Sequence, residues 1–117
     1  MRIVLDENLP RPLKRAFAAV HVVTTVQELG LAGLTNGALL AELESHCDVF
    51  VTADKNLRYQ QNLAGRTLAI VELPTNRLPL LLPMFDRIAA VVQSATSGAY
   101  IELPDETGDL GNGTANV

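Results

Sequence analysis

Leu5-Asp6-Glu7-Asn8-Leu9-Pro10 closes a short apolar run, Ile3-Val4-Leu5, with two carboxylates and a carboxamide. The run has the composition of a buried strand. Acids placed directly after such a strand have two readings. Asp6 and Asn8 cap the helix that Pro10 and Pro12 announce, or the acids form one wall of a site. The rest of the chain bears on the choice.

Outward from that stretch, apolar runs and helical patterns alternate. Arg2–Leu5 reads as a strand, and Pro10, Pro12, Leu13, Phe17 and Val20 as a helix with proline in its first turn. His21–Val26 is β-branched and predicts a second strand. After the loop Gly30-Leu31-Ala32-Gly33, either Thr35 or Asn36 caps a helix with Leu39, Leu40 and Leu43 on one face, ending near His46. Val49–Thr52 predicts a third strand, followed at once by Ala53-Asp54-Lys55-Asn56. A short helix is expected over Leu57–Leu63 and a fourth strand over Thr67–Leu73. From Pro83 the spacing of Met84, Ile88, Val91, Val92 and Ala95 is helical, and Tyr100–Leu103 predicts a last strand. The domain is expected to occupy residues 1–103, and the polar, glycine-rich stretch 104–117 to be disordered.

A chain of 117 residues is expected to form one domain. Hydrophobic residues make up 48% and aromatic residues 4%, so the core must be aliphatic, which suits helices on a mainly parallel α/β sheet. The single cysteine, Cys47, forms no intrachain disulfide and reads as a small semi-buried hydrophobe. The first apolar run is too short for a leader and no run can span a bilayer, so a cytoplasmic location is expected, with no membrane partner. A net charge of −4 argues against a protein that coats DNA by charge. It leaves room for an enzyme that meets nucleic acid through bound cations. His21 and His46 lack metal-ligand spacing.

In open parallel sheets, ligands sit beyond the carboxyl ends of the strands where strand order reverses. Asp6 follows the first strand and Asp54 closely follows the third. If those strands are neighbours, the two carboxylates converge, and with further oxygen donors they suit Mg²⁺ or Mn²⁺. The competing reading makes every one of these residues a helix cap.

The stretches LDENLP, VFVTADKNL and YQQNLAGRTLAIVEL, in that order, resemble the small PIN-like domains related to bacterial toxin–antitoxin ribonucleases. The likeness runs from Arg2 to about Ala95. It implies a three-layer α/β fold in which a mainly parallel sheet of four to five strands lies between helices. It also implies a Mg²⁺- or Mn²⁺-dependent endoribonuclease, with Asp6 and Asp54 as the catalytic, metal-holding acids. Acids are common in the family where this chain has Asn36 and Asn56. Those amides, with Asn8 and Glu42, are candidates to complete the metal shell, and Glu7 and Glu28 are further ones. Lys55 and Arg58, with Arg66 nearby, are candidates to position a phosphate. Tyr59, Gln60, Gln61 and Asn62 read either as an exposed helical turn or as a surface that stacks on and hydrogen-bonds an unpaired base. The partners implied are single-stranded RNA, an antitoxin protein and a second copy of the chain. The amides at 36 and 56 also support a rival, a catalytically weakened binding or assembly module. A phosphate-accepting domain of the response-regulator type fits less well, because Thr67–Leu73 contains no lysine.

Overall fold

The computed structural model describes residues 1–17, 22–57 and 65–105. Five short strands, β1 (Arg2–Leu5), β2 (Val22–Thr25), β3 (Val49–Thr52), β4 (Ala69–Glu72) and β5 (Tyr100–Glu102), form one sheet in the order β2-β1-β3-β4-β5, every pair parallel. The three central strands are aliphatic and buried on both faces, as a parallel sheet covered by helices requires. The edge strands β2 and β5 are only partly covered.

Alternation along the strands builds two half-cores. Ile3, Leu5, Val49, Val51 and Val71 face one side. They pack there against Leu13 and Phe17 of a 3-10 helix, η1 (Arg11–Phe17), and against Met84, Ile88 and Val92 from the C-terminal helical run. Val4, Phe50 and Ile70 face the other side, against Leu39, Leu40 and Leu43 of α1 (Asn36–Leu43). The result is the expected α/β arrangement, with the sheet between helical layers.

Strand order places β1 beside β3, with Leu5 opposite Val51. The chain leaves β1 for β2 on one flank and returns to β3 on the other. The point where strand order reverses therefore lies between the strands that end at Leu5 and Thr52, where such sheets form their ligand crevice.

Three elements differ from expectation. The helix after Pro10 is 3-10 rather than α, opened by an i to i+3 bond from the Leu13 N–H to the Pro10 carbonyl at 3.0 Å. Proline at both 10 and 12 removes two amide protons from its start. The C-terminal helical run begins at Leu78, not Pro83. It comprises α2 (Leu78–Leu81), a 3-10 turn (Leu82–Met84) and α3 (Phe85–Ser94). Pro79 and Pro83 each sit in the first turn of their segment, where a missing N–H is harmless, so neither stops the run. The strand expected over Thr67–Leu73 narrows to Ala69–Glu72. The expected helix over 57–63 lies outside the described residues from position 58, and the stretch expected to be disordered does so from position 106.

Phe50 sits at the middle of β3 and is 1% exposed, so truncating it leaves a cavity under α1. Phe50→Ala is expected to lower the unfolding free energy by about 3–5 kcal/mol, read from the urea midpoint at unchanged m-value.

Candidate active site

The chain leaves each strand at the carboxyl edge of the sheet, and there the side chains continue the strand alternation. Asp6 is two residues beyond Val4, and Thr52 is two beyond Phe50, so both belong to the face covered by α1. The Asp6 N–H bonds the Val51 carbonyl at 2.9 Å, carrying the β1–β3 ladder one step past the end of β1.

Thr52, completely buried, joins the two acids. Its hydroxyl donates to Asp6 Oδ2 at 2.6 Å and accepts the backbone N–H of Asp54 at 3.0 Å. Asp6 Oδ1 accepts the Glu7 N–H at 2.8 Å. Asp54 Oδ1 accepts the Asn56 N–H at 2.9 Å, and its Oδ2 accepts from Asn36 Nδ2 at 3.2 Å. Asn36 opens α1, so the helix start is held against the end of β3. Each carboxylate is thus hydrogen-bonded at both oxygens, and one hydroxyl links the Asp6 carboxylate to the Asp54 backbone.

Burial raises the Asp6 carboxyl above the ordinary carboxylate range. The hydrogen bonds from Thr52 and Glu7 offset part of that rise, while the negative charges of Glu7 and Asp54 add to it. The charges acting on Asp6 are therefore of its own sign. A cation would relieve both the burial and the repulsion.

The other candidate residues fall into distinct places. Asn8 is exposed on the turn after Asp6, and Asn56 and Lys55 are exposed beside Asp54. Glu42 lies at the far end of α1 from Asn36, exposed and 3.9 Å from His46, so it stands apart from the Asp6–Asp54 edge. Six residues separate it from Asn36, nearly two helical turns of rise, which carries it away along the helix axis. Glu7 binds the loop before α1 instead: its carboxylate accepts the Gly33 N–H at 3.4 Å and its carbonyl accepts Gln27 Nε2 at 2.9 Å. Glu28 is taken up by Lys14 at 2.8 Å and by the Thr24 hydroxyl and the Thr25 N–H. Chiefly the Lys14 hydrogen bond pulls its carboxyl down to about 2. Arg58, Tyr59, Gln60, Gln61 and Asn62 lie outside the described residues.

Sequence reasoning missed two residues of this edge. Thr52 carried a signal, a hydroxyl at the last strand position two residues before Asp54, and was read only as strand. Glu72 ends the apolar run Ala69-Ile70-Val71 just as Asp6 ends its own, and it pairs with Thr52 in the ladder. It is 2% exposed and accepts a hydrogen bond from the Tyr100 hydroxyl at 2.6 Å.

Among the described residues, no three His, Cys, Asp or Glu side chains gather into a metal cage. The donor set suits a looser arrangement. Mg²⁺ commonly takes one or two carboxylates and completes its shell with water and substrate phosphate, and Asp6 and Asp54 meet that requirement.

A family model described as a PIN-like domain matches residues 1–67, a span that includes both acids, Asn36 and Thr52. The chain belongs to the PIN-like domain family. The superfamily is nuclease in type, and its members generally use divalent metal ions. No curated protein and no solved structure matches the chain. Within this PIN-like domain, the matched span ends just before β4, so Glu72 and Tyr100 lie beyond it.

The Asp6 shift has a sign that stability measurements read. Its carboxyl is raised in the fold, so its contribution is fully present below its ordinary value of 3.8 and is lost as pH rises through the folded value. Asp6→Asn, which keeps an acceptor and gives Thr52 a donor, is expected to be more stable than the parent at pH 7 without metal. The gap should close towards pH 3, as followed by thermal melts across that range.

Proposed function

We propose that this PIN-like domain is a Mg²⁺- or Mn²⁺-dependent endoribonuclease acting on single-stranded RNA, with Asp6 and Asp54 as the carboxylates that hold the ion. The observation that carries this reading is the Thr52 bridge. Two carboxylates are held at the strand-order reversal, one of them half-buried beside charges of its own sign. Helix capping accounts for the Asp54–Asn56 bond, but not for burying Asp6 beside a second acid.

The chemistry a divalent cation supplies when bound is Lewis acidity, which activates water and offsets charge building on the phosphodiester oxygens. The chain's own contribution is preorganisation. Thr52 and the Glu7 N–H hold Asp6, while Asn36 and the Asn56 N–H hold Asp54, so neither carboxylate has to be ordered when substrate arrives. Lys55, exposed beside Asp54, is assigned to the RNA phosphate. Arg58 is assigned to the phosphate as well, and the run Tyr59-Gln60-Gln61-Asn62 to the unpaired bases. No thiol nucleophile competes, because Cys47 is buried and its thiol is pushed up to about 12 by that burial. A cytoplasmic toxin, restrained by a small antitoxin protein or by a second copy of itself, is the setting that suits such an enzyme.

The second reading, a binding or assembly module with weakened catalysis, is favoured by one observation. Two carboxylates come together on this edge, with amides at 36 and 56. Cleavage of a single-stranded RNA with Mg²⁺ or Mn²⁺ separates the two. The nuclease reading expects turnover that EDTA abolishes, and a loss of about 100-fold or more in Asp6→Asn and Asp54→Asn. Thr52→Val should retain the charges but lose about tenfold through misplacement. Mn²⁺ should also raise the melting temperature of the parent and leave that of Asp6→Asn unmoved. Cleavage by both Asn variants at the parental rate, or none by the parent with either ion, refutes the nuclease reading.

A further inference from the structure

Asn36 meets Asp54 nitrogen first. A carboxylate oxygen only accepts, so the group 3.2 Å from Asp54 Oδ2 is the amide N–H donor of Asn36, and its carbonyl arm is turned the other way. An N–H offers nothing to a cation. Its effect is to hold the carboxylate in place and to lower the cost of its charge without adding charge. The neutral donor is delivered from the first residue of α1, a helix anchored by the buried Leu39, Leu40 and Leu43, so its position is set by packing.

We propose that Asn36 is a positioning residue, a neutral clamp on Asp54 that leaves the site two charged ligands, Asp6 and Asp54, for a single, weakly held divalent cation. The proposal rests on the metal-dependent reading above and gives Asn36, a candidate ligand from the sequence alone, the part of a clamp. The clamp has a specific consequence for substitution. An aspartate at 36 would set one carboxylate against another across the distance the amide now spans, and that arrangement is tolerable only with a cation between them. The same change would supply a third charged ligand. Asn36→Asp should therefore weaken the metal-free protein and strengthen metal binding together, whereas a purely structural cap would show the first effect alone.

The test uses the full chain and two readouts that do not involve catalysis. Melting temperature is recorded in EDTA, and Mn²⁺ affinity is read from the electron paramagnetic resonance signal of the free ion. In EDTA, Asn36→Asp is expected to melt about 5 °C below the parent. With Mn²⁺ it should bind about tenfold more tightly than the parent, and its melting temperature should rise above the parental value. Asn36→Ala, which removes the donor without adding charge, should bind Mn²⁺ more weakly than the parent. An Asn36→Asp protein as stable as the parent in EDTA, or one that binds Mn²⁺ no more tightly, overturns the clamp. A parent that binds no Mn²⁺ beside an Asn36→Asp protein that does supports the clamp and removes the metal-dependent function. If neither binds, both readings fail.

Discussion

The two hydrogen bonds on Thr52 Oγ1, one given to Asp6 and one received from the Asp54 N–H, exist only because β1 and β3 are neighbours in the register that sets Leu5 opposite Val51. A slip of one residue would turn Thr52 to the opposite face of the sheet, and with it the hydroxyl that spaces the acids. Register in turn depends on burial. Val4 and Phe50 must face α1 while Leu5 and Val51 face η1 and α3, and neither set tolerates exchange for Asp6 or Thr52. The aliphatic core therefore does more than hold the sheet together. It decides which oxygen atoms meet at the carboxyl edge.

That dependence explains what could be read from the residues and what could not. Strands ended by acids are visible one strand at a time, which is why Asp6 and Asp54 stand out, but that their strands are neighbours comes from the strand order of the folded sheet. Thr52 was not legible as a site residue, because a threonine closing a β-branched strand is ordinary until its partner is known. Glu42 illustrates the reverse. An acid on the right helix attracts attention, yet two turns of helix carry it to His46 and away from the edge. Glu28 and Glu7 looked equally available and are both used to tie loops down, Glu28 to Lys14 and Glu7 to Gly33. Side-chain direction and local competition for donors decided these cases, and neither is written in spacing.

The electrostatics of the edge separate stability from function. Glu28, hydrogen-bonded by Lys14, and Asp48, held first by the Arg2 backbone N–H and then by its side chain, are lowered and favour the fold when ionised. Asp6 is the exception, raised by burial and by neighbours of its own sign. A fold selected for stability alone would expose such a group, pair it or replace it with an amide. Keeping it half-buried beside Glu7 and Asp54 concentrates acidic groups at one place on a protein whose net charge is already −4. On the proposed reading a divalent cation would offset those acids, and it would also convert an edge that repels phosphate into one that accepts it.

Glu72 tests how far this logic extends across the sheet. It continues the row Asp6–Thr52 by one more strand, and a third carboxylate there would be the obvious way to complete a cation shell. The Tyr100 hydroxyl engages it instead, reaching from β5 at 2.6 Å, and Glu72 remains 2% exposed. A buried carboxylate held by a phenol is already provided with a donor from the neighbouring strand. The row thus contains two acids with different neighbours: Asp6, half-buried at the strand-order reversal, has the negative charges of Glu7 and Asp54 beside it, and Glu72 lies buried against a phenol. Each acid takes a hydroxyl from the neighbouring strand, Thr52 for Asp6 and Tyr100 for Glu72, and what sets Asp6 apart is the second carboxylate, Asp54, acting on it. That difference places the chemically demanding end of the row between β1 and β3, within the span shared with the PIN-like family.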